Sequence, residues 1–128
     1  MSAELECRQL VENYAKAVQT QNWRDFDIVF SKQKECRLIS GRNEYVGRDA
    51  IFQEFLVERI GEKFSRITLV VDDVEFNHVM HNVMIIVFRY HTECILRENG
   101  EPFGIQGVET QFAALEDGAW HLVHVHYS

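Results

Sequence analysis

From residue 3 to about 20 the apolar positions Cys7, Leu10, Val11, Tyr14 and Val18 recur at helical intervals, with Glu, Gln, Asn and Lys between them. That spacing lays a single apolar stripe along an amphipathic helix. Gln21-Asn22 closes it, and Trp23, Phe26 and Val29-Phe30 predict a second, shorter helix that packs through aromatic rings, with Trp23, Phe26 and Phe30 in the core. Residues 35–39 are short and β-prone, and Gly41 through Gly47 reads as a turn-rich link. Asp49 is placed to cap a third helix whose apolar face is Ile51, Phe52, Phe55, Leu56 and Ile60.

After Gly61 the pattern changes. Residues 65–77, 81–96, 104–116 and 119–127 read as four long strands. Glu116-Asp117-Gly118 joins the last two as a hairpin turn, and Pro102 lies in a second turn, Glu98-Asn99-Gly100-Glu101-Pro102. Strands this long exceed the usual length and imply a strongly bent sheet. The expectation is an α+β fold, one unit over residues 1–128, with three helices on one face of a mostly antiparallel sheet. Such closure leaves a concave cavity, and the other sheet face keeps enough apolar positions for a second subunit to cover it.

Composition narrows the partners. With 13 basic and 20 acidic residues the formal charge is −7. A nucleic-acid surface needs clustered Lys and Arg, and an anionic membrane attracts the same groups, so neither partner is expected. Cys7, Cys36 and Cys94 have no paired spacing and read as buried thiols of a reducing compartment. The start Ser2-Ala3-Glu4-Leu5-Glu6 lacks the form of a signal peptide, which points to a cytoplasmic protein.

The final strand carries the most chemistry. In Gly118-Ala119-Trp120-His121-Leu122-Val123-His124-Val125-His126-Tyr127-Ser128 three imidazoles are interleaved with apolar residues. Strict alternation sets His124 and His126 on one face with Trp120, Leu122 and Ser128, and His121 on the other with Val123, Val125 and Tyr127. The pair either transfers protons on a pocket wall or fastens a bent sheet through hydrogen bonds. As metal ligands they would stand about 7 Å apart along the strand, with no third ligand at matching parity, so no metal and no other cofactor is expected. Isolated Gly41, Gly47 and Gly61 form no phosphate loop.

These features together resemble the nuclear-transport-factor-2-like (NTF2-like) superfamily, which includes ketosteroid isomerase, scytalone dehydratase and the SnoaL-like polyketide cyclases. Within it the chain resembles the association domain of calcium/calmodulin-dependent protein kinase II and its free-standing bacterial relatives in particular. Glu109-Thr110-Gln111 resembles their Glu-Thr-Arg element, followed by Asp117-Gly118, Trp120 and a closing His124-Val125-His126-Tyr127-Ser128. Tyr45-Val46-Gly47-Arg48-Asp49-Ala50-Ile51 resembles the superfamily's glycine-then-helix element. Arg89, in Val87-Phe88-Arg89-Tyr90, matches an arginine that faces the pocket in the association domains. Two departures stand out. Gln111 replaces the arginine of the Glu-Thr-Arg element, and Leu38 stands where the isomerase's general base would fall, although Tyr14 can match its helix-one tyrosine.

The resemblance implies a cone-like fold and two functional readings. In one, Tyr14, Arg89, Glu109, Gln111, His124 and His126 line a pocket for a small apolar or anionic ligand. There a proton passes through an imidazole or Glu109, in lyase or isomerase fashion, while Arg89 or Tyr14 steadies an oxyanion. Arg89 and Glu109 would form a charge pair that is either ligand-positioning or structural, and Tyr14 is either a cavity donor or a core residue. In the other reading the chain is a non-catalytic self-association module, a homodimer or larger homo-oligomer through the sheet face.

Overall fold

The computed structural model describes residues 2–128. Helix α1 (Ala3–Thr20) starts where the Ser2 hydroxyl accepts from the Leu5 amide, and it ends at Gln21 in a left-handed conformation. Its buried stripe is Cys7, Leu10, Val11, Tyr14, Ala17 and Val18. Helix α2 (Trp23–Asp27) is capped by Asn22, whose side chain accepts from the Asp25 amide. Strands β1 (Arg37–Ser40) and β2 (Asn43–Val46) form a hairpin, so the segment expected as a link is half strand.

Helix α3 opens as Arg48–Ala50 and continues through the π-wound stretch Ile51–Gly61. Gly47 precedes it with no side-chain cap, and Asp49 lies inside its first turn instead of capping it. Its buried residues Ile51 and Leu56, and Phe55 and Ile60, are five apart, which suits the wider i→i+5 winding. Trp23 is a second correction: it is 45% exposed. Its ring covers Phe26 and Phe52 from outside, with the Arg48 guanidinium over its face.

The remaining strands are β3 (Phe64–Met80), β4 (Val83–Leu96), the short β5 (Pro102–Phe103), β6 (Gln106–Glu116) and β7 (Ala119–Tyr127). The sheet order is β2-β1-β7-β6-β4-β3, with β5 beside β4. Every pairing is antiparallel except β1 with β7. Register breaks near Phe64, Asp72 and Val79 let β3 bend over its length. This is the α+β cone, a curled, mostly antiparallel sheet closed on its concave side by three helices.

The loop after α2 is tied to the β6–β7 hairpin. Ser31 and Lys34 donate to the Glu116 carboxylate at 2.9 and 2.7 Å, and Gln33 donates to Asp117 at 2.7 Å. Burial pushes the Glu116 carboxyl up, but the Lys34 and Ser31 hydrogen bonds outweigh it and hold the group below its ordinary range. Asp117 and Gly118 both have positive φ, 51° and 81°, as a two-residue hairpin turn requires.

Candidate functional site

Alternation along β6 decides what enters the cone. Glu109, Gln111 and Ala113 are buried, while Val108, Thr110 and Phe112 face outward. Glu109 is 2% exposed and Gln111 has no exposure. A carboxyl at that depth loses its hydration, and burial raises Glu109 from near 4.5 to about 8. Two neighbours oppose that rise. The Gln111 amide donates to the Glu109 carboxyl at 2.8 Å, and the Tyr14 phenol on α1 is near enough to hydrogen-bond it.

Gln111 suits a carboxyl that titrates near neutral pH. Its Nε2 serves the ionised form, and its Oε1, buried without a partner, can accept from the protonated form once the amide turns over. Burial, then the charge of Glu109, push the Tyr14 phenol well above its usual range, so it stays protonated.

Glu109 opens onto a cavity of about 260 Å³ between the helices and the sheet. Val18, Phe55, Ile60, Ile67, Leu69 and Ile105 supply its apolar walls. Tyr14, Tyr90 and Tyr127 surround the carboxyl, with Ser40 and Thr92 as the neutral hydroxyl donors. Burial, then the charge of Glu109, raise Tyr90 to about 12. Tyr127 is also raised by burial, against a hydrogen bond with Ser40. Its ring rests on Phe55 and Tyr90 with centroids 5.9 and 6.1 Å away. At the mouth stand Arg59, from the end of α3, and Lys63, from the turn before β3.

The histidines are not in this cavity. Along β6, Phe112 pairs with His124 and Ala113 with Leu122, so Val123 is an extra residue in β7. One inserted residue reverses the alternation beyond it. Trp120 and Leu122 point inward before the bulge, and Val125 and Tyr127 point inward after it. His124 and His126 therefore lie on the outer face, where burial, then His126 and Arg37, lower the His124 pKa. They share neither the cavity nor the face of Trp120 and Leu122.

Arg89 is also outside. It pairs with Asp73 at 3.2 Å on the convex surface, while its neighbours Phe88 and Tyr90 point inward. The expected Arg89–Glu109 pair does not form, because the two side chains leave opposite faces of the sheet. His91 stands next to Arg89 on the same face, hydrogen-bonded to Asp72 and Glu93, which together raise its pKa. Of the six expected site residues, the fold brings together Tyr14, Glu109 and Gln111.

Sequence reasoning missed Tyr90, Tyr127, Arg59 and Lys63. Tyr90 was recoverable, since it alternates with Arg89, and choosing the other parity admits it. Tyr127 depended on the bulge, which no residue type announces.

The architecture and this inward-facing polar group define a class that sequence comparison identifies. The chain belongs to the SnoaL-like domain family, whose model matches residues 1–126. Among solved structures it is similar to an NTF2-like superfamily protein from Salmonella enterica serovar Typhimurium, with 27% identity and a TM-score of 0.88 over 98% of this chain and 87% of that one. It shares its fold with a hexachlorocyclohexane dehydrochlorinase, LinA-type3, from Novosphingobium barchaimii, at 11% identity, a TM-score of 0.86, and coverage of 98% and 85%. A Xanthomonas campestris protein named for the calcium/calmodulin dependent protein kinase II association domain has 16% identity and a TM-score of 0.81, with 100% and 88% covered. No curated protein matches the sequence. No helix among the described residues is long and apolar enough to cross a membrane.

Proposed function

We propose that this protein binds a small molecule in the cone and moves a proton on it through Glu109, as a lyase or isomerase does. What supports this most is a carboxyl only 2% exposed on the wall of an apolar cavity, where burial pushes it up to about 8. A general base or acid works best when its pKa lies near the working pH. The ionised fraction of Glu109 takes a proton from a substrate carbon. The electron pair left behind forms a double bond as a leaving group departs from the next carbon, or waits as an enolate until Glu109 returns the proton. The protonated Tyr14 phenol supplies a hydrogen bond to charge developing on an oxygen. Fold relatives named as dehydrochlorinase and dehydratase carry names of elimination reactions, which fits the first course.

Native mass spectrometry of freshly purified protein, followed by incubation of any retained molecule in D2O, tests this reading. The expected result is a reproducible adduct that gains deuterium or is converted by the wild type and not by Glu109→Gln. An adduct handled equally by both proteins contradicts the role of Glu109.

A second reading, self-association without catalysis, draws on the outer sheet face. Val108 and Phe112 are exposed there beside half-buried Ile85 and Val87. A stable interface on that face would bury upwards of roughly 1,000 Å² in total. A closed ring carrying no adduct in the same spectrum would favour this reading.

A further inference from the structure

The charged groups lining the cavity are arranged in depth. Glu109 lies at the buried end, and Arg59 and Lys63 lie at the mouth, both exposed. The ion pairs of the described residues engage other cations, so neither mouth cation is neutralised by an acidic side chain. Lys63 is nevertheless positioned: its ammonium stands 5.4 Å from the Phe64 ring and 5.0 Å from the Phe103 ring, two stacked walls of the opening. Arg59 is near enough to Tyr127 for its charge to act on the phenol. In a chain of net charge −7, the exposed charges that line this cavity are both positive.

We infer that the cavity takes a small molecule with an apolar body and one carboxylate or similarly compact anion, held at the mouth by Arg59 and Lys63 with the body toward Glu109. This rests on the reading of the cavity as a ligand site and adds the ligand's class and orientation. The orientation follows from charge. An anion at the closed end would lose its hydration with no cation to meet it, and would oppose every ionisation of Glu109 in a low-dielectric pocket. At the mouth it meets two cations, and the guanidinium of Arg59 offers a fork that matches a carboxylate. Apart from Glu109, the groups facing the ligand body are the Tyr14, Tyr90 and Tyr127 phenols, the Ser40 and Thr92 hydroxyls and hydrocarbon. None of these attracts a cation as strongly as the mouth attracts an anion.

Volume bounds the size. At about 30 Å³ for each water displaced, a cavity of about 260 Å³ holds roughly nine non-hydrogen atoms, the scale of one substituted ring. The opening adds room for the anion itself.

Sodium benzoate, benzamide and benzylammonium chloride test the inference, being of similar size and differing in charge. Calorimetric titration at about pH 6.5 is paired with NMR shifts of the Tyr14 and Tyr127 rings, so that binding outside the cavity is recognised. Benzoate is expected to bind at least about tenfold more tightly than benzamide. The double variant Arg59→Gln/Lys63→Gln is expected to lose that advantage while keeping its affinity for benzamide. Equal binding of benzoate and benzamide, or undiminished benzoate binding by the double variant, overturns the anionic class and leaves the cavity reading standing. Failure of all three probes to shift the tyrosine resonances overturns both.

Discussion

Burial and hydrogen bonding pull the acidity of Glu109 in opposite directions, and burial wins. The consequence for stability has a definite sign. Between about 4.5 and about 8 the unfolded chain has released this proton while the folded chain keeps it, so stability falls as pH rises through that window. Glu109→Gln keeps the shape and removes the titration. It is expected to match wild type near pH 4 and to exceed it at pH 9 by roughly 2–5 kcal/mol in urea unfolding. An unchanged difference across pH would mean that the carboxyl is hydrated in the folded protein. Gln111 admits a complementary test, because arginine occupies its place in the Glu-Thr-Arg element of the association domains. Gln111→Arg would put a fixed cation against Glu109 and hold it ionised, moving its NMR titration midpoint from about 8 to well below neutrality. Tyr14 was legible as a buried polar group because it falls on the apolar stripe of α1, Glu109 and Gln111 were singled out through the Glu-Thr-Arg resemblance, and all three are placed inside the cone. Arg89 is not, since its parity places it outside and only the resemblance had turned it inward.

At the level of elements, the helices and long strands follow from their apolar periods, and the departures have local causes. The β1–β2 hairpin was partly hidden because Asn43, Glu44 and Val46 are exposed and only Tyr45 is buried, too little alternation to register. The Val123 bulge is the larger loss, because it transfers His124 and His126 from one face to the other without changing any residue's propensity. β7 also ends against a backbone that admits only glycine. A Cβ on Gly107 would lie 1.8 Å from the Ser128 carbonyl oxygen, which accepts from the Val108 amide. Gly107→Ala is therefore expected to peel the end of β7 from β6 and to withdraw Tyr127 from the cavity wall. Hydrogen exchange should show lost protection at Val108 and Ser128 with α1 unaffected. Retained protection at both amides would show that the terminus can shift without unpairing.

For the whole molecule, the sheet gives two surfaces different work: the concave one holds the buried carboxyl, and the convex one carries Arg89, His91, His124, His126 and the exposed Val108 and Phe112. If the convex face joins two copies, Phe112→Glu would bury a charge in the interface and shift sedimentation from dimer to monomer, while the Glu109 titration stays in place. A dimer that survives the substitution would put the contact elsewhere. The claim on which the functional account turns is that the cone encloses a carboxyl poised near neutral pH, and site-resolved NMR tests it most directly. Following the Glu109 side-chain carbon shift against pH in the wild-type protein, with Glu109→Gln as the assignment control, should give a midpoint near 8. A midpoint near the ordinary 4.5 would contradict the account, since water or the Gln111 and Tyr14 hydrogen bonds would then hold Glu109 ionised through the neutral range, leaving no carboxyl poised there.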